Sequence, residues 1–366
     1  MKGYKIIESL HQTIKSDGFR DSVKLRKQDF IRNRKVGFVD VVSMMMNLMK
    51  KSLQLELDDF LDRFKKDVGT YTKQSFSDAR HRICPTVFKK LNNQFLNMYY
   101  NGDYNTYKNY RLLAIDGSKI QLPNNNETRR EFGFIHNNHE HFEIAQALAS
   151  TLFDVENGIV ISSILEHCES SERGLAKKNI EEMLELDKQI NNLILFDRGC
   201  PSFDFISYLE ENNQKYVMRV KNGSFREIFE TNSDDEIVTI KITPSRKKHL
   251  KQQGIEVEVD ASITMRVIKV VLSTGEIETL ITNISSEEIS HTEMKDLYFK
   301  RWGIETKYDE LKNKFEIENF SGKSIIAVKQ DFHAVAFLAN IASVIAEDAM
   351  SIYNAKDNSK KNISTK

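Results

Sequence analysis

Arg111-Leu-Leu-Ala-Ile-Asp-Gly-Ser118 is a short apolar run that ends in a carboxylate followed by glycine. Leu193-Ile-Leu-Phe-Asp-Arg-Gly199 repeats the pattern further along the chain. Each run reads as a buried strand with an aspartate, Asp116 or Asp197, at its carboxyl end. In open α/β sheets that edge is where sites form. If the two strands are neighbours, the carboxylates converge.

The surrounding segments supply the rest of a sheet. Residues 145–152 and 158–165 are two more strand candidates, and Asp154-Val-Glu-Asn-Gly158 between them signals a hairpin. Residues 173–186 have helical character, residues 203–211 form a short helix, and Tyr216-Val-Met-Arg-Val220 is a fifth strand. The order β-β-β-α-β-α-β describes an antiparallel meander followed by right-handed crossovers. It predicts an α/β fold with a ribonuclease-H-like core, a mixed five-stranded sheet with helices. Residues 236–242, 255–272 and 276–284 are rich in Val, Ile and Thr and read as a β-rich insertion, with 245–251 as a basic link.

A helix is expected from Thr292 to about Phe315. At about 100° per residue, Tyr298, Arg301, Glu305 and Lys312 fall on one stripe about 60° wide. Leu297, Ile304, Leu311 and Phe315 form a separate apolar stripe that can pack on a sheet. Ser290 and Glu293 make a capping box at its start. A solvated face is the usual fate of such charges. A carboxylate flanked by cations on a core-facing helix also suits a cation site with phosphate-binding neighbours. Three carboxylates with little else, Asp116, Asp197 and Glu305, are the hard oxygen donors that Mg²⁺ prefers.

The chain has 366 residues, with Lys plus Arg equal to Asp plus Glu at 53 each, so global charge advertises no polyanion partner. Residues 1–51 nevertheless carry 12 Lys/Arg against 5 Asp/Glu. A basic, helical N-terminal domain over 1–105 follows, able to meet DNA. Within it, the short helix at 75–83, stopped by Pro85, suggests a helix-turn-helix, with Arg80 and Arg82 as candidate DNA contacts. The remaining boundaries are 106–221 for the first part of the core, 222–288 for the insertion, 289–350 for the C-terminal core helices and 351–366 for a disordered tail. Cys84, Cys168 and Cys200 are too scattered for a disulfide framework or a metal cage, which suits a reducing, intracellular compartment. No apolar run is read as a membrane span. His136, His139 and His141 have metal-like spacing but an Asn-rich setting that reads as loop.

Tyr298-x2-Arg301-x3-Glu305-x6-Lys312 resembles the signature of the insertion-sequence-4 family of DDE transposases. Asp197-Arg198-Gly199 and Ile115-Asp116-Gly117-Ser118 resemble that family's second and first aspartate motifs. The β-rich insertion ending in Leu280-Ile-Thr-Asn-Ile284 fits, as do Arg34-Lys35 and Lys50-Lys51-Ser52-Leu53-Gln54. One departure is Cys200, where the family usually has an aromatic. The resemblance implies that Asp116, Asp197 and Glu305 bind two Mg²⁺ ions, with Mn²⁺ as a substitute. It implies that Tyr298, Arg301 and Lys312 contact transposon-end DNA, and it makes Trp302 a candidate for stacking on an extruded base. The expected partners are transposon ends and target DNA, bound by a homodimer in a synaptic complex. The alternatives are a non-catalytic DNA-binding descendant or inhibitor, and another ribonuclease-H-like nuclease.

Overall fold

In the computed structural model, the described residues are 2–32, 34–47, 52–65, 70–137, 142–186, 189–252, 262–272 and 274–364. Lys50, Lys51, His139 and His141 fall outside them. The N-terminal part is helical, with α1 (Lys2–Lys15), α2 (Asp17–Val23), α3 (Phe38–Met45), α4 (Leu53–Phe64), α5 (Lys73–Arg80) and α6 (Val87–Tyr100). Then come β1 (Arg111–Gln121), α7 (Asn126–Phe132), β2 (Phe134–Asn137), β3 (Phe142–Asp154), β4 (Ile159–His167), α8 (Glu172–Leu186), β5 (Asn192–Phe196), α9 (Phe203–Glu211) and β6 (Lys215–Arg219). The insertion contains α10 (Arg226–Phe229), β7 (Asp235–Lys241), α11 (Pro244–Gln252), β8 (Ser262–Val271) and β9 (Ile277–Thr282). The chain closes with α12 (His291–Phe299), a 3₁₀ turn at Lys300–Trp302, α13 (Gly303–Asn313) and α14 (Ile325–Ser364).

The fold is mixed α/β. β4, β3 and β1 pair antiparallel, while β1, β5 and β6 pair parallel. The sheet does not stop at the expected five strands. β9 pairs antiparallel with β6, and β8 and β7 follow, so nine strands form one sheet. The insertion therefore extends the central sheet, because the open edge of β6 offers a row of unpaired backbone groups. The basic link at 245–251 is helical: α11 begins at Pro244, whose missing N–H costs nothing at a first turn.

β1 is longer than its apolar run. The parallel pairing with β5 ends at Ala114 opposite Leu195, but the antiparallel pairing with β3 continues to Gln121. Asp116 thus sits mid-strand, yet at the carboxyl end of the parallel part. The β3–β4 hairpin closes where expected, with Gly158 at φ 70° supplying the left-handed residue of its turn.

Three expectations change in the helical parts. Residues 65–72 separate α4 from α5, longer than the tight turn of a helix-turn-helix. α5 is capped at Thr72, whose hydroxyl accepts from the Ser75 amide. Arg80 is no surface contact: only 2% exposed, it reaches inward to α14. The tail expected to be disordered continues α14 as far as Ser364. By length and composition alone, Ile325–Asn354 is long and apolar enough to cross a membrane, a test that a core helix also meets. Its first half is packed in the core, through Val328, Phe332, Phe337 and Ala339, and its fully buried Gln330 and Asn340 are satisfied by the protein. Asn340 donates to Asn92 Oδ1 at 2.7 Å and accepts from the Val160 amide at 2.7 Å, which fastens α14 to α6 and β4.

Candidate active site

Asp116 and Asp197 each lie two residues beyond the last paired position, Ala114 opposite Leu195, of two neighbouring parallel strands. Asp197 lies just past the end of β5, near enough for its charge to act on Asp116. Asp116 Oδ1 accepts from the Gly117 amide at 2.8 Å. Asp197 opens a turn in which the Cys200 amide donates to its carbonyl at 3.1 Å. Cys200, at the position where the resemblance implies an aromatic, is a free, partly buried cysteine, and burial pushes its thiol up to about 12, so it remains protonated.

The segment 291–313 is anchored over this pair. Ser290 and Glu293 form the expected capping box, with the Ser290 amide 3.0 Å from the Glu293 carboxylate. Leu297, Ile304 and Leu311 are buried as the apolar stripe requires. The helix is not continuous, because Lys300–Trp302 tightens to a 3₁₀ turn. Gly303 follows it, where a Cβ would come within 2.9 Å of Val155, so only glycine lets α13 start this close to the hairpin. Lys300 pairs with Glu156, and the buried Lys307 donates to the Gly158 carbonyl, so both lysines grip that hairpin. Further along α13, the Tyr308 hydroxyl lies 3.1 Å from the carbonyls of Asp116 and Ala149. The Lys312 ammonium reaches the Lys119 carbonyl at 3.2 Å. The helix therefore lies along β1.

The signature residues do not share one fate. Tyr298 is 5% exposed and its hydroxyl donates to the Phe196 carbonyl at 3.2 Å, fixing the end of β5 just before Asp197. It is committed to positioning, and a DNA contact is closed to it in this arrangement. Arg301 is 5% exposed and donates to Glu305 Oε1 at 2.9 Å. Its charge acts on both Asp116 and Asp197, while its Nε has no hydrogen-bond partner. Trp302 and Phe299 point outward, 52% and 70% exposed. Arg82 is half-buried, with its carbonyl accepting from the Leu25 amide.

Sequence reasoning missed Glu172, in the first turn of α8. Its side chain lies against both aspartate loops: Oε1 is 3.6 Å from where a Gly117 Cβ would be, and Oε2 is 3.6 Å from that of Gly199. A glutamate opening the helix after a strand meander was the only available signal, and it resembles an ordinary helix-dipole carboxylate.

Burial raises Asp116 to about 6, the Arg301 charge opposing and the Asp197 and Glu172 charges adding to the rise. An oxygen-only donor set in which a buried carboxylate lacks full compensation fits a hard divalent cation. Among the described residues no three His, Cys, Asp or Glu side chains are placed to hold an ion as they stand, and Glu305 is engaged by Arg301. The raised value also sets a stability prediction. Asp116 contributes most favourably below its unfolded value near 4, and that contribution is lost as pH rises through 6. In metal-free buffer, Asp116→Asn is therefore expected to be more stable than the native chain at pH 8, by at most about 3 kcal/mol. The advantage should shrink through pH 6 and vanish near pH 4, as followed by urea unfolding at each pH. Equal stability at pH 8 would show that the carboxylate is well solvated.

Residues 107–341 match the family model described as transposase DDE domain. The chain belongs to the DDE transposase family. The Tyr-Arg-Glu-Lys spacing had implied this membership, in its insertion-sequence-4 branch. The DDE chain is 25% identical over 236 residues to the transposase InsG for insertion sequence element IS4 of Escherichia coli K12. That alignment covers 63% of the DDE chain but 51% of InsG, so the chain spans about half the length of this relative. Among solved structures, it is similar to the piggyBac transposase in a synaptic complex with hairpin DNA, at TM-score 0.47 and 11% identity, covering 94% of the DDE chain and 75% of the other. It also aligns with the Mos1 mariner paired end complex with Mn, at TM-score 0.22 and 12% identity, covering 89% and 87%.

Proposed function

We propose that this chain is the DNA transposase of an insertion sequence, acting by cut-and-paste on its own terminal inverted repeats. The observation that carries the reading is that Asp116 and Asp197, each two residues past the last β1–β5 pairing, both feel the charge of Arg301, which is paired with Glu305. The strand order β4-β3-β1-β5-β6, with its antiparallel-to-parallel switch at β1, supports a ribonuclease-H-like core. Asp116, Asp197 and Glu305 are the carboxylates that would hold two Mg²⁺ ions, or Mn²⁺ in their place. When bound, such ions activate an attacking oxygen and stabilise the leaving one in an in-line displacement.

The chain's own residues do the rest. Arg301 is the switch: a scissile phosphate arriving at its free Nε competes with Glu305 for the guanidinium, which releases Glu305 toward the aspartates. Lys312 steadies the phosphate backbone, and the exposed Trp302 offers a face for an unstacked base. Tyr298 and Tyr308 hold the strand ends in place. Water attacks first, freeing a 3′-hydroxyl; that hydroxyl then attacks a target phosphodiester. In the N-terminal domain, Arg26, Lys27, Arg32, Arg34 and Lys35 are exposed on the loop between α2 and α3. This loop is pinned beside Arg82 by the Lys24–Ile83 bridge and is the better candidate for end binding. Two chains on two ends would form the synaptic complex, in the bacterial cytoplasm at the nucleoid.

The test is to incubate purified protein with the element's ends and Mg²⁺ and map breaks and joins. A non-catalytic descendant would bind ends without breaking them. Two variants divide binding from chemistry. Glu305→Gln is expected to abolish nicking and leave end binding intact or slightly tighter, since repulsion of DNA falls. Arg301→Ala is expected to weaken the end complex by roughly 1.5–3 kcal/mol and to lower cleavage as well. Nicking by Glu305→Gln at the native rate would remove it as a ligand.

A further inference from the structure

A cavity of about 440 Å³ lies beside β4, between α6, α8 and α14. None of the residues assigned to DNA cleavage lines it. Thr86, Lys89 and Lys90 on its α6 side are the N-cap and first turn of that 14-residue helix. No acidic residue stands in that turn, and the Thr86 side chain accepts no amide, so the positive end of the helix is left uncompensated. Lys90 gives one hydrogen to the Ser22 carbonyl at 2.7 Å, which ties this helix start to the end of α2, where the basic loop begins.

The second, independent observation is in the walls. His333 on α14 and Ser163 on β4 line the same cavity and are only 9% and 8% exposed. Among the described residues, no hydrogen bond or ion pair holds either side chain. Burial, together with the Lys89 and Lys329 charges, pushes His333 down to about 3, so the ring is neutral and keeps one N–H to donate. Both charges that act on the ring are positive. Of the two acids in the lining, Glu182 is engaged by Lys89 and by the Ser162 hydroxyl, and Glu185 is exposed. Polar groups this deeply buried cost free energy unless they find a partner. Water can serve, and a water-filled cavity is the bland alternative. An open helix N-terminus, a positive potential and donors from three elements favour an oxyanion.

We propose that this cavity is a phosphate-binding site, in which Thr86, Lys90, Ser163 and His333 hold the oxyanion at the N-terminus of α6. The phosphate is either part of a DNA strand that arrives across the basic loop or a free group from solution. The site is separate from the aspartate pair and stands whether or not the transposase mechanism does.

The experiment titrates inorganic phosphate into the full-length protein by calorimetry at one fixed ionic strength, alone and in the presence of end DNA. Lys90→Gln and His333→Asn are each expected to weaken phosphate binding roughly tenfold, the size of a lost hydrogen bond to a charged group. Lys178→Gln removes an equal charge from an exposed pair with Glu166 on α8 and is expected to bind within about twofold of the native chain. Thermal melting checks that each variant is folded; should His333→Asn not fold, the exposed end of Lys90 lets Lys90→Gln decide alone. Phosphate binding that both variants weaken and that competes with end DNA supports the site with a DNA phosphate as its occupant. The same loss without competition supports it with a free phosphate group. Absence of phosphate binding by the native chain, or native-like binding by folded Lys90→Gln, overturns the proposal. Equal weakening by Lys178→Gln shows a diffuse charge effect and also overturns it.

Discussion

Asp197→Asn is expected to lower metal-dependent cleavage of end DNA by roughly 10²–10³-fold or more while leaving fold and end binding in place. The size follows from what one preorganised charged or polar group contributes where charge develops in a transition state. Asn keeps the shape of the side chain. The turn that carries it is held by backbone and neighbours: the Cys200 amide on the Asp197 carbonyl, and the Tyr298 hydroxyl on the Phe196 carbonyl. Nothing in the fold depends on the charge. End binding should be equal or tighter, because one negative charge facing the phosphates is gone. Asp116→Asn should show a similar loss, and the double variant should be little worse than either, because residues acting as one unit are not additive. Single-turnover nicking at one fixed salt concentration measures this. An Asp197→Asn rate within a few-fold of native would remove the pair from the chemistry.

The second large effect concerns Arg80, and it is structural. Its Nε donates to Gln330 Oε1 at 2.9 Å, one terminal nitrogen to Ser321 Oγ at 2.6 Å, and the other to Asp331 at 2.7 Å and the Ala327 carbonyl at 3.2 Å. Gln330 returns hydrogen bonds to the carbonyls of Arg80 and Ile83. The network locks the end of α5 onto α14 with no exposed member to contact DNA. Removing one partner of a buried pair leaves the other uncompensated, which typically costs 3–5 kcal/mol. Arg80→Leu is therefore expected to lose about that much, a large share of a typical folding free energy of 5–15 kcal/mol. The midpoint of urea unfolding should fall accordingly, while molecules that remain folded bind end DNA as before. Unchanged stability with lost DNA binding would restore Arg80 as a surface contact.

The contrast between these residues shows what the sequence could disclose. The two strands that lead to Asp116 and Asp197 were legible because an unbroken apolar run has few fates and both runs end in the same residue. Their pairing needed one fact outside the sequence: that β5 lies beside β1. Tyr298, Arg301, Glu305 and Lys312 were found by spacing, but a uniform helix was the wrong ruler. The 3₁₀ turn at Lys300–Trp302 sends Tyr298 inward to Phe196 and leaves Trp302 in solvent. Arg80 misled because arginines in short basic helices usually face water, whereas its partners lie some 250 positions away on α14. The insertion's attachment to β6 was invisible because either edge of a β-rich segment can pair. The tail lacked apolar periodicity, yet it propagates from an established helix, where each added residue needs no new nucleus. Glu172 was passed over because a glutamate in a first helical turn carries its own local explanation.

The central claim is that Asp116, Asp197 and Glu305 close on shared ions when DNA is present and Arg301 turns to phosphate. Anomalous scattering from Mn²⁺, in crystals of the full chain bound to its end DNA, tests this most directly. The account predicts Mn²⁺ peaks between the two aspartates, with Glu305 within ligand distance and its contact with Arg301 replaced by a DNA phosphate. An ordered end complex in which Glu305 still pairs with Arg301, and Mn²⁺ lies elsewhere, would contradict it.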